Sequence, residues 1–125
     1  MEKYSINGVS LIKNEKAIFP MMGEFHFSRC PEPEWEEEIR KMRACGMDII
    51  ATYVFWIHHE EEEGVFDFTG QRNLHYFLEL CEKWQMHVWL RIGPWAHGEA
   101  RNGGFPDWLL KKGYKLRSDD PDYLA

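Results

Sequence analysis

Asp48-Ile49-Ile50-Ala51-Thr52-Tyr53-Val54-Phe55-Trp56 is an almost unbroken apolar run. Such a run suits a strand covered on both faces, as in a parallel sheet. A second run of this kind, Met86-His87-Val88-Trp89-Leu90-Arg91-Ile92, follows an amphipathic stretch. Met47 and Met86 each precede a run, Trp56 and Trp95 each follow one, and both pairs lie 39 residues apart. That is the beat of consecutive βα units. Short strands alternating with amphipathic helices build either a doubly wound sheet or a barrel. The first turn has no G-x-G-x-x-G and the chain has no G-x-x-x-x-G-K, which disfavours the nucleotide-binding version. A whole (β/α)8 barrel takes about 250 residues. The 125 residues here, with about three strands, are therefore expected to hold part of one, residues 17–125. The tail Leu116-Arg117-Ser118-Asp119-Asp120-Pro121-Asp122-Tyr123-Leu124-Ala125 reads as another helix beginning.

Upstream, Tyr4-Ser5-Ile6 and Val9 to Ile12 flank Asn7-Gly8, a pair that suits a type I′ turn, so residues 1–16 predict a small β-hairpin. A second turn falls near Asn14-Glu15-Lys16. The apolar run Ala17–Phe27 then supplies, in its later part, the first strand of the α/β unit. Pro31-Glu32-Pro33-Glu34 opens a helix, because free N–H groups and the dipole favour Pro and Glu in a first turn. Trp35, Ile39 and Met42 form its buried stripe, and Gly46 caps it. A further helix is predicted from about Asn73 to Trp84, with Leu74, Phe77, Leu78 and Cys81 on its inner face. Between them, residues 57–70 predict a loop whose run of four Glu makes a solvated face. The His58-His59 pair beside it fits no metal-ligand spacing.

Composition narrows the function classes. A hydrophobic share of 44% with 29% charged residues excludes disorder as the default. The net charge of −6, without a basic stripe, argues against a nucleic-acid partner. No apolar run approaches the roughly 18 residues that span a membrane. Three cysteines, at 30, 45 and 81, form no C-x-x-C pair, so neither a disulfide framework nor structural zinc is indicated, and no cofactor is expected. Met1-Glu2-Lys3-Tyr4 has no charged-then-apolar leader, consistent with a cytoplasmic protein if Met1 is the native start. Aromatic residues reach 15%, with six Trp, eight Phe and five Tyr. Large rings fill cores, and ring faces also cover the apolar C–H faces of sugars.

In an α/β barrel the active site gathers at the C-terminal ends of the strands. The residues to weigh are Glu24 and His26, then Tyr53 to Glu60, then Gly93 to Phe105. The last of these, Gly93-Pro94-Trp95-Ala96-His97-Gly98-Glu99-Ala100-Arg101-Asn102-Gly103-Gly104-Phe105, sets polar groups among large rings in a tight loop. A carboxylate there can accept two hydroxyl hydrogen bonds from one sugar ring. It could equally form an ordinary ion pair with Arg101 or Arg91.

The segments GEFHFSRCPEPEW, GMDIIATYVFWIHHEEEEGVFDFTG, LRIGPWAHGEARNGGFPDWLL and LRSDDPDYLA, in this order and spacing, resemble the start of the family 35 β-galactosidases. The resemblance runs over residues 4–125. It implies a clan A (β/α)8 barrel, β-galactoside or a related oligosaccharide as partner, and hydrolysis with retention. By position, Tyr53 matches a tyrosine that contacts galactose, Glu99 a glutamate that binds sugar hydroxyls, and His97-Gly98 the adjoining sugar-lining pair. Glu24, His26, Arg91 and Trp95 are candidates for a supporting layer. Three positions depart from the common family pattern: Ile57 replaces an Asn, His59-Glu60-Glu61 replaces His-Glu-Pro, and His97-Gly98-Glu99-Ala100 replaces Cys-Ala-Glu-Trp. In the family the acid/base and the nucleophile follow the fourth and seventh strands, the former in an Asn-Glu-Asn-Glu-like motif. This chain has no such motif, so the resemblance implies that the catalytic pair lies beyond residue 125. A different exo-β-glycosidase, such as a β-glucosaminidase, and a non-catalytic carbohydrate-binding barrel are the alternatives.

Overall fold

The structure, a computed structural model, describes residues 2–124. Its first unit is an antiparallel meander of β1 (Tyr4–Ile6), β2 (Leu11–Lys13) and β3 (Lys16–Ile18). This is one strand more than the expected hairpin, and it continues past residue 16. The tight turn is also not where Asn7-Gly8 placed it. Ile6 pairs with Leu11, leaving a four-residue loop in which Asn7 Oδ1 accepts from the Val9 and Ser10 N–H groups. That side-chain turn competes successfully with a two-residue turn. The two-residue turn is at Asn14-Glu15 instead, between paired Lys13 and Lys16, with both φ values positive, 48° and 67°.

The second unit is a parallel sheet in the order β4 (Met22–Glu24), β5 (Ile49–Tyr53), β6 (His87–Arg91). Met22 lies beside Ile49, and Ile49 beside His87. The run 48–56 is thus a five-residue strand rather than one reaching Trp56. Its last ladder-like bond is Val54 N–H to the Arg91 carbonyl, 3.0 Å. Beyond it Phe55 and Trp56 pack on loop residues, and Trp56–His59 coils into a one-turn helix, α2.

One face of the sheet is covered by α1 (Trp35–Ala44) and α3 (Leu74–Lys83). The Pro-Glu run opens α1 as expected, through a 3-10 turn at Glu32–Glu34, and Gly46 follows its end with φ +86°. Asn73 caps α3 by accepting from Tyr76 N–H at 3.0 Å, a bond whose loss costs about 1 kcal/mol. Phe27, Trp35, Ile39, Ile50, Phe77, Leu80, Cys81 and Met86 form the core. From α3 it is Leu80, rather than the half-buried Leu78, that joins Phe77 and Cys81 on the inner face. Each of the fully buried large side chains contributes about 1.5–3 kcal/mol. Trp35 also satisfies its indole N–H, on the Phe27 and Cys30 carbonyls.

Because side chains alternate along a strand, the residues flanking Ile50 and Val88 point away from the helices. Glu24, Ala51, Tyr53, Trp89 and Arg91 share this second face. The meander lies at the other end of the sheet, where Lys13 Nζ comes within 3.4 Å of His87 Nε2. Short helices α4 (Asp107–Lys111) and α5 (Pro121–Leu124) follow the last loop.

Candidate functional site

All three parallel strands end at one edge, and three chain segments leave it there. β4 delivers Glu24, β5 delivers Tyr53 and β6 delivers Arg91 to the same face; Tyr53 pairs in register with Arg91, and Glu24 lies beside Ala51, the residue of β5 that precedes Tyr53 on that face. Arg91 Nη2 donates to Glu24 Oε1 at 2.7 Å, and its guanidinium lies 3.8 Å from the centre of the Tyr53 ring. His26 stands on another side of Tyr53, ring centres 5.1 Å apart. Its Nδ1 accepts from the Tyr53 N–H at 3.4 Å, and its Nε2 lies 3.5 Å from Glu24 Oε2. Burial holds His26 below the ordinary imidazole range despite Glu24. The ring is therefore neutral near pH 7. With Nδ1 as acceptor, its proton sits on Nε2 and faces Glu24. Exposed ion pairs add little stability. Glu24 links Arg91 and His26, which both contact the Tyr53 ring.

The third segment explains its own glycines. A Cβ on Gly98 would lie 2.8 Å from Tyr53 Cδ2 and 2.9 Å from Phe55 Cζ, so only glycine lets the backbone pass these rings. A Cβ on Gly103 would lie 2.0 Å from Trp95 Nε1. Trp95 is thus roofed by the Asn102-Gly103-Gly104 turn, which the Ala96 N–H to Gly103 carbonyl bond closes at 2.7 Å. Trp95 also borders His97, ring centres 5.0 Å apart, and lines an open cleft of about 600 Å³ with Trp56, Pro94 and Tyr123.

Glu99 follows Gly98 with φ +56°, a conformation side chains rarely adopt, which costs of order 1–3 kcal/mol and tends to occur at functional sites. Its side chain is exposed, and among the described residues it forms no hydrogen bond or ion pair. The ordinary salt-bridge role finds no support, because Arg101 pairs with Asp107 at 2.9 Å and Arg91 with Glu24.

The segment after β5 is less solvated than its four glutamates suggest. Glu60 is buried: it accepts from the Trp56 indole N–H and from Gly64 N–H, while its carbonyl accepts from the Trp108 indole N–H. Glu61 pairs with Arg72, and Glu63 with Lys112. His59 is buried, stacks on Phe68 at 4.7 Å and donates from Nδ1 to the Asp67 carbonyl. Loop residues therefore fasten one another, and the run of charge is partly structural.

Tyr53, Gly98, Glu24, His26 and Arg91 form one contiguous cluster, and His97, Trp95 and Glu99 continue it along the loop. Sequence reasoning missed Arg29, which donates to the Gly98 carbonyl, and gave no individual role to Phe55 or Glu60, though both lie in the stretch Tyr53 to Glu60. Glu60 had one usable signal, its i, i+4 spacing from Trp56; Arg29 had none. Among the described residues no group of three His, Cys, Asp or Glu could hold a metal ion, and no helix is long and apolar enough to cross a membrane.

Comparison with known proteins decides the family. The family model for glycosyl hydrolases family 35 matches residues 10–125. The chain belongs to that family. The family 35 chain is 42% identical over 115 residues to a β-galactosidase of Canis lupus familiaris, covering 91% of this chain and 17% of that protein. It is 36% identical over 123 residues to a β-galactosidase of Xanthomonas manihotis, covering 98% and 21%. An exo-β-D-glucosaminidase of Pyrococcus horikoshii is 42% identical over 113 residues, covering 87% and 14%. The chain therefore spans about a seventh to a fifth of the length of these relatives. Among solved structures, the β-galactosidase of the psychrophilic Marinomonas ef1 superimposes with TM-score 0.63 at 18% identity, over 75% of this chain and 13% of that one, a likeness of fold. The homologues of this family 35 chain are glycoside hydrolases.

Proposed function

We propose that these residues are the start of the catalytic barrel of a retaining exo-β-galactosidase, and that their strand-end edge forms part of the pocket for the terminal galactose. In this reading β4, β5 and β6 are the first arc of a (β/α)8 barrel within residues 17–125. The meander precedes it, and the second face of the sheet looks into the barrel. Tyr53, His97, Gly98 and Glu99 line the sugar position; Glu24, His26, Arg91 and Trp95 hold them.

The observation that carries this reading is the state of Glu99. Glu99 has a backbone φ of +56° and follows the Gly98 that packs on the Tyr53 ring, and among the described residues its carboxylate has no protein partner. Galactose hydroxyls are suitable donors, and bonds to a carboxylate are charge-assisted. Retaining hydrolysis also needs two carboxyl groups about 5–5.5 Å apart. At this edge Glu24 is tied to Arg91, and Glu60 is buried under two donors. Glu99 binds sugar in this reading, and the catalytic pair comes from outside residues 1–125.

The exo-β-D-glucosaminidase relative matches the identity of the canine β-galactosidase, which supports a second reading: an amino sugar whose 2-ammonium pairs with a carboxylate. Comparing the full-length protein on 4-nitrophenyl β-galactoside and β-glucosaminide separates the two. The galactosidase reading expects kcat/KM to favour the galactoside. The reverse order would replace it, and turnover of neither would remove both.

A further inference from the structure

Arg29 lies within the segment GEFHFSRCPEPEW, but the resemblance gave it no role. It ends the 3-10 turn Phe27–Arg29, which starts from a fully buried Phe27 and closes through Arg29 N–H to the His26 carbonyl at 2.9 Å. Its base is thereby fixed. Among the described residues its guanidinium meets no carboxylate. It reaches across 69 positions of sequence to donate to the carbonyl of Gly98, in a partly buried contact.

That carbonyl is in the peptide plane that leads into Glu99. Peptide planarity means that holding the oxygen also holds the Glu99 N–H and the direction in which its Cα leaves. On Gly98 itself the Tyr53 and Phe55 rings leave no room for a Cβ. The plane is therefore confined by a cation on its oxygen and by two rings against its α-carbon. Glu99 needs such confinement. A non-glycine residue at φ +56° persists when its surroundings over-determine it. Without the guanidinium, rotation of this plane would release the strain and swing the carboxylate.

We infer that Arg29 is a positioning residue for Glu99, fixing the carboxylate through the Gly98 carbonyl; this rests on the sugar-binding reading of Glu99. It is neither a catalytic residue nor a sugar ligand.

A double-mutant cycle in the full-length enzyme tests it, with 4-nitrophenyl β-galactoside as substrate and melting temperature measured beside kinetics. Arg29→Met is expected to lower kcat/KM by roughly 10- to 100-fold, the scale of a misplaced binding group. In a Glu99→Ala background the same change should cost less than about twofold, because contacts acting through one group are non-additive. Arg29→Lys, which keeps a donor, should lose less than Arg29→Met, and it carries the cycle if the methionine variant does not fold. Losses that multiply in the double variant, or a folded Arg29→Met enzyme with wild-type kcat/KM, overturn the role of Arg29 while leaving Glu99 as a sugar ligand. A Glu99→Ala enzyme that is itself undiminished removes the sugar-binding reading and this inference with it.

Discussion

At the scale of single residues, the proposed sugar contacts of Glu99 and Tyr53 predict separable losses. If Glu99 accepts from sugar hydroxyls, Glu99→Ala in the full-length enzyme removes charge-assisted bonds of about 1.5–3 kcal/mol each. The kcat/KM should then fall by roughly ten- to several-hundred-fold per bond. Tyr53→Phe should cost less: one hydroxyl goes, while the ring, with Arg91 above it and Gly98 against its edge, stays. In the proposed reading neither residue exchanges the catalytic proton, so the limbs of the pH–rate profile should keep their positions in both variants. Kinetics with melting temperature distinguish this from a loop-holding Glu99, which would lower stability and spare kcat/KM. The residues of this cluster were legible because each ends a strand or sits in a Gly-rich loop, where local pattern and family resemblance coincide. Arg29 was illegible because its contact spans 69 residues, and nothing in Phe-Ser-Arg announces a carbonyl in another loop.

At the scale of elements, the two long strands and the two long helices followed from their apolar patterns, as did their inner faces except at Leu78, whose place Leu80 takes. The ends of the elements did not. Phe55 and Trp56 prolong the apolar run of β5 yet belong to a loop core with Ala96, Phe105 and Trp108. Hydrophobicity alone cannot separate a strand from the packed loop that continues it. The meander misled for a different reason: Asn7 could close a two-residue turn or accept from the backbone two and three residues on, and it does the second.

The loop after β5 carries a pH consequence. Burial holds both His58 and His59 below the ordinary 6.5, and His59 has the Asp67 carbonyl as its partner. The unfolded chain then binds protons that the folded one refuses. Stability from the neutral rings is complete above about pH 6.5 and is lost as pH falls from there toward the lowered folded values. The melting temperature of the full-length protein should decline on acidification below about pH 6.5. His59→Gln should make that decline shallower; an unchanged slope would show that His59 does not titrate on unfolding.

At the scale of the whole molecule, β6 has its outer edge unpaired among the described residues. Trp89 is 59% and Ile92 68% exposed beside it. A bare parallel edge flanked by large apolar groups is an association surface. Residues 1–125 produced alone should therefore self-associate rather than unfold as a monodisperse monomer, as sedimentation would show. The same geometry sets the chemistry. In the proposed reading three strands bring sugar-binding groups to one edge, while the two carboxylates of retaining hydrolysis, which supply much of the rate, come from outside residues 1–125. The most direct test is to assay purified 1–125 beside the full-length protein on 4-nitrophenyl β-galactoside. The full-length protein should turn over and the 1–125 piece should not, at any concentration that stays in solution. Turnover by 1–125 that disappears with Glu99→Gln would contradict the account, because it would make Glu99 a catalytic group rather than a ligand of the sugar.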